Sequence, residues 1–172
     1  MKSVAFESIL CAVIAALASS ECSAEILLAQ TRTTASVYGG ASYNVDFNGA
    51  AVGGQTFTFT TTAPNTRVVI AFNAECAVDG DGTKWVDIDL LVDPAGPATE
   101  SAASPSNGDN AFCSGNETPS DFVFGNGDGW VSAITQATVV LPAAGDHTVR
   151  VLVKGANSGI ARLDDMSLIV WR

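Results

Sequence analysis

The chain has 172 residues, enough for one ordinary domain, and carries 8 basic against 18 acidic residues for a formal net charge of −10. That balance repels phosphate backbones and argues against nucleic-acid binding, while 47% hydrophobic and only 15% charged residues exclude an acidic disordered tail. A single histidine, His147, excludes any site that needs two imidazoles and leaves a Ser-His-Asp triad one possible base.

The first 24 residues read as a secretory signal peptide. Lys2 supplies a positive end, Ile9 to Leu17 is an apolar run too short to span a bilayer, and Cys22-Ser23-Ala24 ends in the small residues a signal peptidase accepts, with Ala16-Leu17-Ala18 as the alternative site. Glu21 sits where a lipoprotein signal needs a small residue, which argues against lipidation at Cys22. Beyond this segment no apolar run is long enough to cross a membrane. Residues 25–172 form the expected single domain: 148 residues with 7 basic and 16 acidic groups, exported to an extracellular, periplasmic or cell-surface location.

This domain is rich in Thr, Val, Ala and Gly, with turn residues about every ten positions, which predicts strands throughout. The region 33–50 predicts one or two strands. Thr56 to Thr60 alternates, with Phe57 and Phe59 on one face. In TRVVIAFNAEC, Val68, Ile70, Phe72, Ala74 and Cys76 share the core phase. KWVDIDLLVD places Val86, Ile88, Leu90 and Val92 inward, and Trp85, Asp87, Asp89, Leu91 and Asp93 outward. A stretch dense in Gly, Pro, Ser and Asn runs from Pro94 to about Asp128. Then follow a strand in GWVSAITQATVVLP with room for a bulge, a turn at Pro142 to Asp146, and HTVRVLVKG. The last has Val149, Val151 and Val153 inward and Arg150 and Lys154 outward. IARLDDMSLIVW is the final strand. About eight short strands, long loops and no helix predict an all-β fold, a two-sheet antiparallel sandwich with jelly-roll topology ahead of an immunoglobulin-like one.

Removal of the signal takes Cys11 and Cys22 and leaves one pair, Cys76 and Cys113. In an exported chain such a pair predicts a disulfide, here closing a loop of 38 residues.

The segments DIDLLVD, PSNGDNAFC, GWVSA, LPAAGDHTVRV and ARLDDMSLIV, spread over residues 55–171, resemble secreted bacterial jelly-roll domains of the galactose-binding-like and carbohydrate-binding-module kind. The resemblance implies a jelly roll, carbohydrate as ligand class and a structural calcium ion held by Asp of the final strand, a position matched by Asp164 and Asp165. It supplies no residue-by-residue match to an aromatic sugar platform.

Several residues carry candidate chemistry. Asp79-Gly80-Asp81-Gly82 offers hard oxygen ligands for calcium, with a solvated hairpin turn as the plain alternative; Leu90 stands where an EF-hand would need its bidentate Glu. For Asp164 and Asp165 the alternative to calcium is pairing with Arg162 or Arg150. Asp87, Asp89 and Asp93 alternate beside Trp85, a combination that suits sugar stacking and hydrogen bonding or, more simply, a solvated face neutralised by Arg67, Arg150 and Lys154. Trp130 follows a Gly-rich loop and is a second candidate for stacking. His147 shares strand parity with Val149, which turns it inward to a backbone partner. The Gly-x-Ser-x-Gly elbow is absent, and no carboxylate pair stands out for glycoside hydrolysis. Asn116-Glu117-Thr118 has the form of a glycosylation sequon.

The reading is therefore a non-enzymatic exported binding module. Its expected ligand-binding residues are Trp85, Asp87, Asp89 and Trp130, and its candidate calcium ligands are Asp164, Asp165, Asp79 and Asp81. Carbohydrate or a surface protein is the expected partner. A structural subunit of an extracellular assembly is the alternative, and a small hydrolase the third. An aromatic row in a groove favours the first, an unpaired edge strand the second, and a pocket holding His147 with a carboxylate the third.

Overall fold

The computed structural model describes residues 24–39, 42–47, 55–79, 84–93, 112–115, 130–156 and 160–172. Residues 1–23, where a signal peptide is expected, Asp81, the Asn116 sequon and most of the stretch 94–128 lie outside these residues.

The described residues form strands β1 (Ile26–Arg32), β2 (Ser36–Gly39), β3 (Ser42–Asn44), β4 (Phe57–Thr61), β5 (Thr66–Val78), β6 (Trp85–Val92), β7 (Cys113–Ser114), β8 (Val131–Leu141), β9 (Gly145–Ala156) and β10 (Ile160–Trp171), with no helix among them. Sheet A has the order β1-β10-β5-β8, with β2 also pairing β10; sheet B has the order β3-β9-β6-β7, with β4 also pairing β9. Every pairing is antiparallel.

If β1 and β2 share one strand position, and β3 and β4 the next, eight positions remain in orders 1-8-3-6 and 2-7-4-5. This is the wound double layer of a jelly roll.

The core lies between the sheets and follows the alternation of the sequence. Val68, Ile70, Phe72, Ala74 and Cys76 of β5 face Val86, Ile88 and Leu90 of β6, and Val149, Val151 and Val153 of β9 are buried as predicted. Phe72 sits at its centre, edge-on to Phe47 at 6.3 Å and 5.8 Å from Phe112. Each such side chain contributes about 1.5–3 kcal/mol on burial. Cys76 on β5 and Cys113 on β7 are bonded, with Cα atoms 6.3 Å apart, so the disulfide ties sheet A to sheet B inside the core.

The predicted bulge is not in β8, whose pairing to β5 runs without a register shift from Leu141 to Val131. It lies in β10. There Asp164 pairs Glu75 and Ser167 pairs Asn73, so two residues of β10 stand against one of β5. Asp165 takes φ 44° at this point, a left-handed conformation that Asp tolerates better than most residues. The bulge resets the core phase: Ala161 and Leu163 point inward before it, and Met166, Leu168 and Val170 after it. The paired aspartates are thus the hinge of a phase slip.

Candidate interaction surface

Strand β8 closes sheet A on one side. Its sequence, VSAITQATVVL, has β-branched residues at Val131, Ile134, Thr135, Thr138, Val139 and Val140, which favour extended backbone, and no charged residue. Alternation turns Ala133, Thr135, Ala137, Val139 and Leu141 toward the sandwich and Ser132, Ile134, Gln136, Thr138 and Val140 away from it. Ile134 is 63% exposed, and Val140 and Val131 are also exposed. One side of β8 bonds to β5 along its whole length, and among the described residues no strand pairs with the other side.

The outer face of sheet A continues from this edge. In register, Thr138, Val69, Trp171 and Ile26 form one row, and Gln136, Ala71, Ile169 and Ala29 the next. Nearer the bulge, Asn73, Glu75, Ser132, Ile134 and Asp165 line an open cleft of about 420 Å³. Asp164 stands opposite Glu75, and its Oδ1 accepts the Asp165 N–H at 2.9 Å. One row further, the Arg162 guanidinium lies 5.2 Å from the centre of the Trp130 ring.

The structure therefore gathers Trp130, Asp164 and Asp165 at one end of sheet A and adds Glu75, Asn73 and Ser132, which sequence reasoning did not select. Their signal was parity: all lie on the outward phase of strands that prove to be neighbours. Arg150 is on the other sheet and does not serve Asp164 or Asp165. Asp79 lies apart, at the end of β5, where its N–H donates to the Ile160 carbonyl at 2.9 Å and its Oδ1 is buried without a hydrogen bond. Among the described residues, no three His, Cys, Asp or Glu side chains are grouped to hold a metal ion.

Trp85, Asp87 and Asp89 belong to β6 in sheet B, whereas Trp130 directly precedes β8 of sheet A. The solvated outward face expected for β6 is also corrected: Asp87, Leu91 and Leu152 are buried, and Asp89 is fully so. Asp89 pairs with Lys154, as charge alternation suggested, and Asp87 stands opposite Lys154 in register. Arg67 takes no part, because it lies on sheet A. A carboxylate out of water demands a cation and further hydrogen bonds, and Lys154 supplies the cation here. Leu91 and Leu152 in an otherwise polar phase were the signal that this face is covered.

His147 is buried as expected, but its partner is more than backbone. Nδ1 lies 2.7 Å from Asp93 Oδ2, Nε2 lies 3.2 Å from the Ala143 carbonyl, and the ring packs 5.7 Å from Phe59. Asp93 also accepts the Thr148 N–H at 2.6 Å and returns its own N–H to the Thr148 carbonyl at 3.0 Å. Burial raises the Asp93 carboxyl, but the bonds from His147 and Thr148 together outweigh it and hold the group below its usual range. Nε2, which would take a nucleophile's proton in a triad, is turned onto a carbonyl. This carboxylate–histidine pair fastens the end of β6 to the start of β9.

No family model matches the chain, and neither a curated protein nor a solved structure matches it.

Proposed function

We propose that this chain is an exported, non-enzymatic building block of an extracellular or cell-surface assembly, and that it takes up a partner strand along the open side of β8. One observation carries the reading: among the described residues, β8 is an eleven-residue, unbulged, uncharged edge strand. Edge strands in monomers are ordinarily shortened, bulged, charged or covered, because a row of unpaired N–H and C=O groups recruits another strand. Such addition supplies affinity through main-chain bonds and specificity through alternate side chains.

The test is the size of the protein in unfractionated material from its source. The parent should elute well above the mass of one chain, and a variant carrying Ile134→Lys and Val140→Lys should elute as a single chain. A parent that elutes as one chain, or a variant that assembles like the parent, overturns the reading.

Carbohydrate remains a second reading, favoured by the cleft of Asn73, Glu75, Ser132 and Asp165 beside Trp130. It ranks below the first because the Trp130 ring already carries the Arg162 guanidinium and no aromatic row accompanies it among the described residues. A glycan array run with and without calcium tests it: binding lost in Asp165→Asn supports the cleft, and an array without signal removes it.

A further inference from the structure

The partner of β8 can be named, on the premise that β8 is an assembling edge. We infer that it is β8 of a second copy of this chain, paired antiparallel about a two-fold axis at Gln136.

Charge selects the occupant. The net charge of −10 makes most surfaces of two copies repel. Among the described strands of seven residues or more, β8 alone has no charged side chain, so it is where backbones can approach without like charges meeting. The charges beside it lie at opposite ends of the outer face. Arg67 stands next to Val140, and Glu75 stands next to Ser132. An antiparallel partner brings the basic end of one copy against the acidic end of the other; a parallel partner sets like against like.

The ends of the strand select the register. With the axis at Gln136, Val131 meets Leu141, Ser132 meets Val140, Ala133 meets Val139, Ile134 meets Thr138 and Thr135 meets Ala137. All eleven residues are then paired, with about ten new main-chain hydrogen bonds. Pro142 follows directly and cannot donate to a longer ladder. On the inner side the pairing covers Ala133, Thr135, Ala137 and Val139, which one chain leaves only partly buried at the lip of the sandwich. On the outer side it shields Ile134 and Val140. The interface is isologous and consumes the edge it uses, so assembly closes at two copies.

Sedimentation of the purified full chain tests this. The parent should pass from monomer to dimer over about 1–100 µM, as suits an edge interface below ~1,200 Å². Gln136→Lys and Gln136→Glu each place like charges face to face on the axis and should each weaken the dimer about tenfold or more. An equimolar mixture of the two should restore it as a heterodimer. Both variants should keep the parent's melting temperature in the monomeric range. A parent that stays monomeric throughout overturns the inference. So does a dimer that neither variant weakens, and so do weakened variants that the mixture fails to rescue. If the purified chain is monomeric while source material is assembled and the assembly is lost with Ile134→Lys and Val140→Lys, self-pairing fails and the strand-addition reading stands with a different partner.

Discussion

Among the described residues, sheet A ends on an eleven-residue strand without a charge, whereas the edges of sheet B are strands of two, three and five residues. The faces differ as well. Asp87, Asp89, Leu91 and Leu152 on the outside of sheet B are buried around the Lys154–Asp89 pair, while the outside of sheet A presents Ile134, Val140, Ile26 and Val37 exposed. Within sheet A the two borders differ again. β1 has an irregular register between Ile26 and Leu28 and ends on Arg32, which donates to the Asp46 carbonyl at 2.7 Å, and β2 has four residues. Those are features that discourage strand addition. The contrast teaches that, among the described residues, sheet B offers only short edges while one border of sheet A is left open.

The largest effect is expected where sheet B is closed. Lys154→Met leaves the fully buried Asp89 carboxylate without its lysine and should cost about 3–5 kcal/mol in urea unfolding. Joining it with Asp89→Leu should recover most of that loss. A single variant within 1 kcal/mol of the parent, by contrast, would mean that the face is wet and the contrast between the sheets is smaller than described. Close behind comes the link between the sheets. Cys76→Ala with Cys113→Ala reopens a 38-residue loop and should cost about 4 kcal/mol on the chain-entropy estimate, read from the same unfolding curves.

A smaller effect belongs to the fastening of β6 to β9. The Asp93 carboxyl is held below its ordinary value, so its contribution is complete above the unfolded-state value near 4 and is lost as pH falls through the lower folded value. Asp93→Asn should cost about 1 kcal/mol at neutral pH and flatten the acid limb of a stability–pH curve. An unchanged acid limb would assign that limb to other carboxylates. The smallest effect on folding is expected at the open border: Ile134→Lys with Val140→Lys should shift unfolding by no more than about 0.5 kcal/mol while abolishing assembly.

Much of this was legible in the chain. Period-two alternation located the core phases of β5, β6 and β9, and the isolated cysteine pair located the inter-sheet bond. Alternation distinguishes two faces of a strand but does not say whether the second face meets water, so Asp87 and Asp89 read as solvated although Leu91 and Leu152 share their phase. The sequence leaves room for a bulge in β8, whereas it lies at Asp164 and Asp165, where the core phase slips from Leu163 to Met166; an acidic pair suggests metal chemistry before it suggests such a slip. Strand parity with Val149 turns His147 inward, but Asp93 lies 54 positions earlier, and only the pairing of β6 with β9 brings it within reach. The open edge was not legible at all, because strand order is set by long-range pairing and VSAITQATVVL would read the same in the middle of a sheet.

Amide hydrogen exchange across β8 tests the central claim most directly. In dilute solution the alternate amides of Val131 to Leu141 that face away from β5 should exchange rapidly. They should become protected as the protein associates, while the amides of β1 stay unchanged. Protection in β8 that does not depend on association, or protection that grows on β1 instead, would contradict the account.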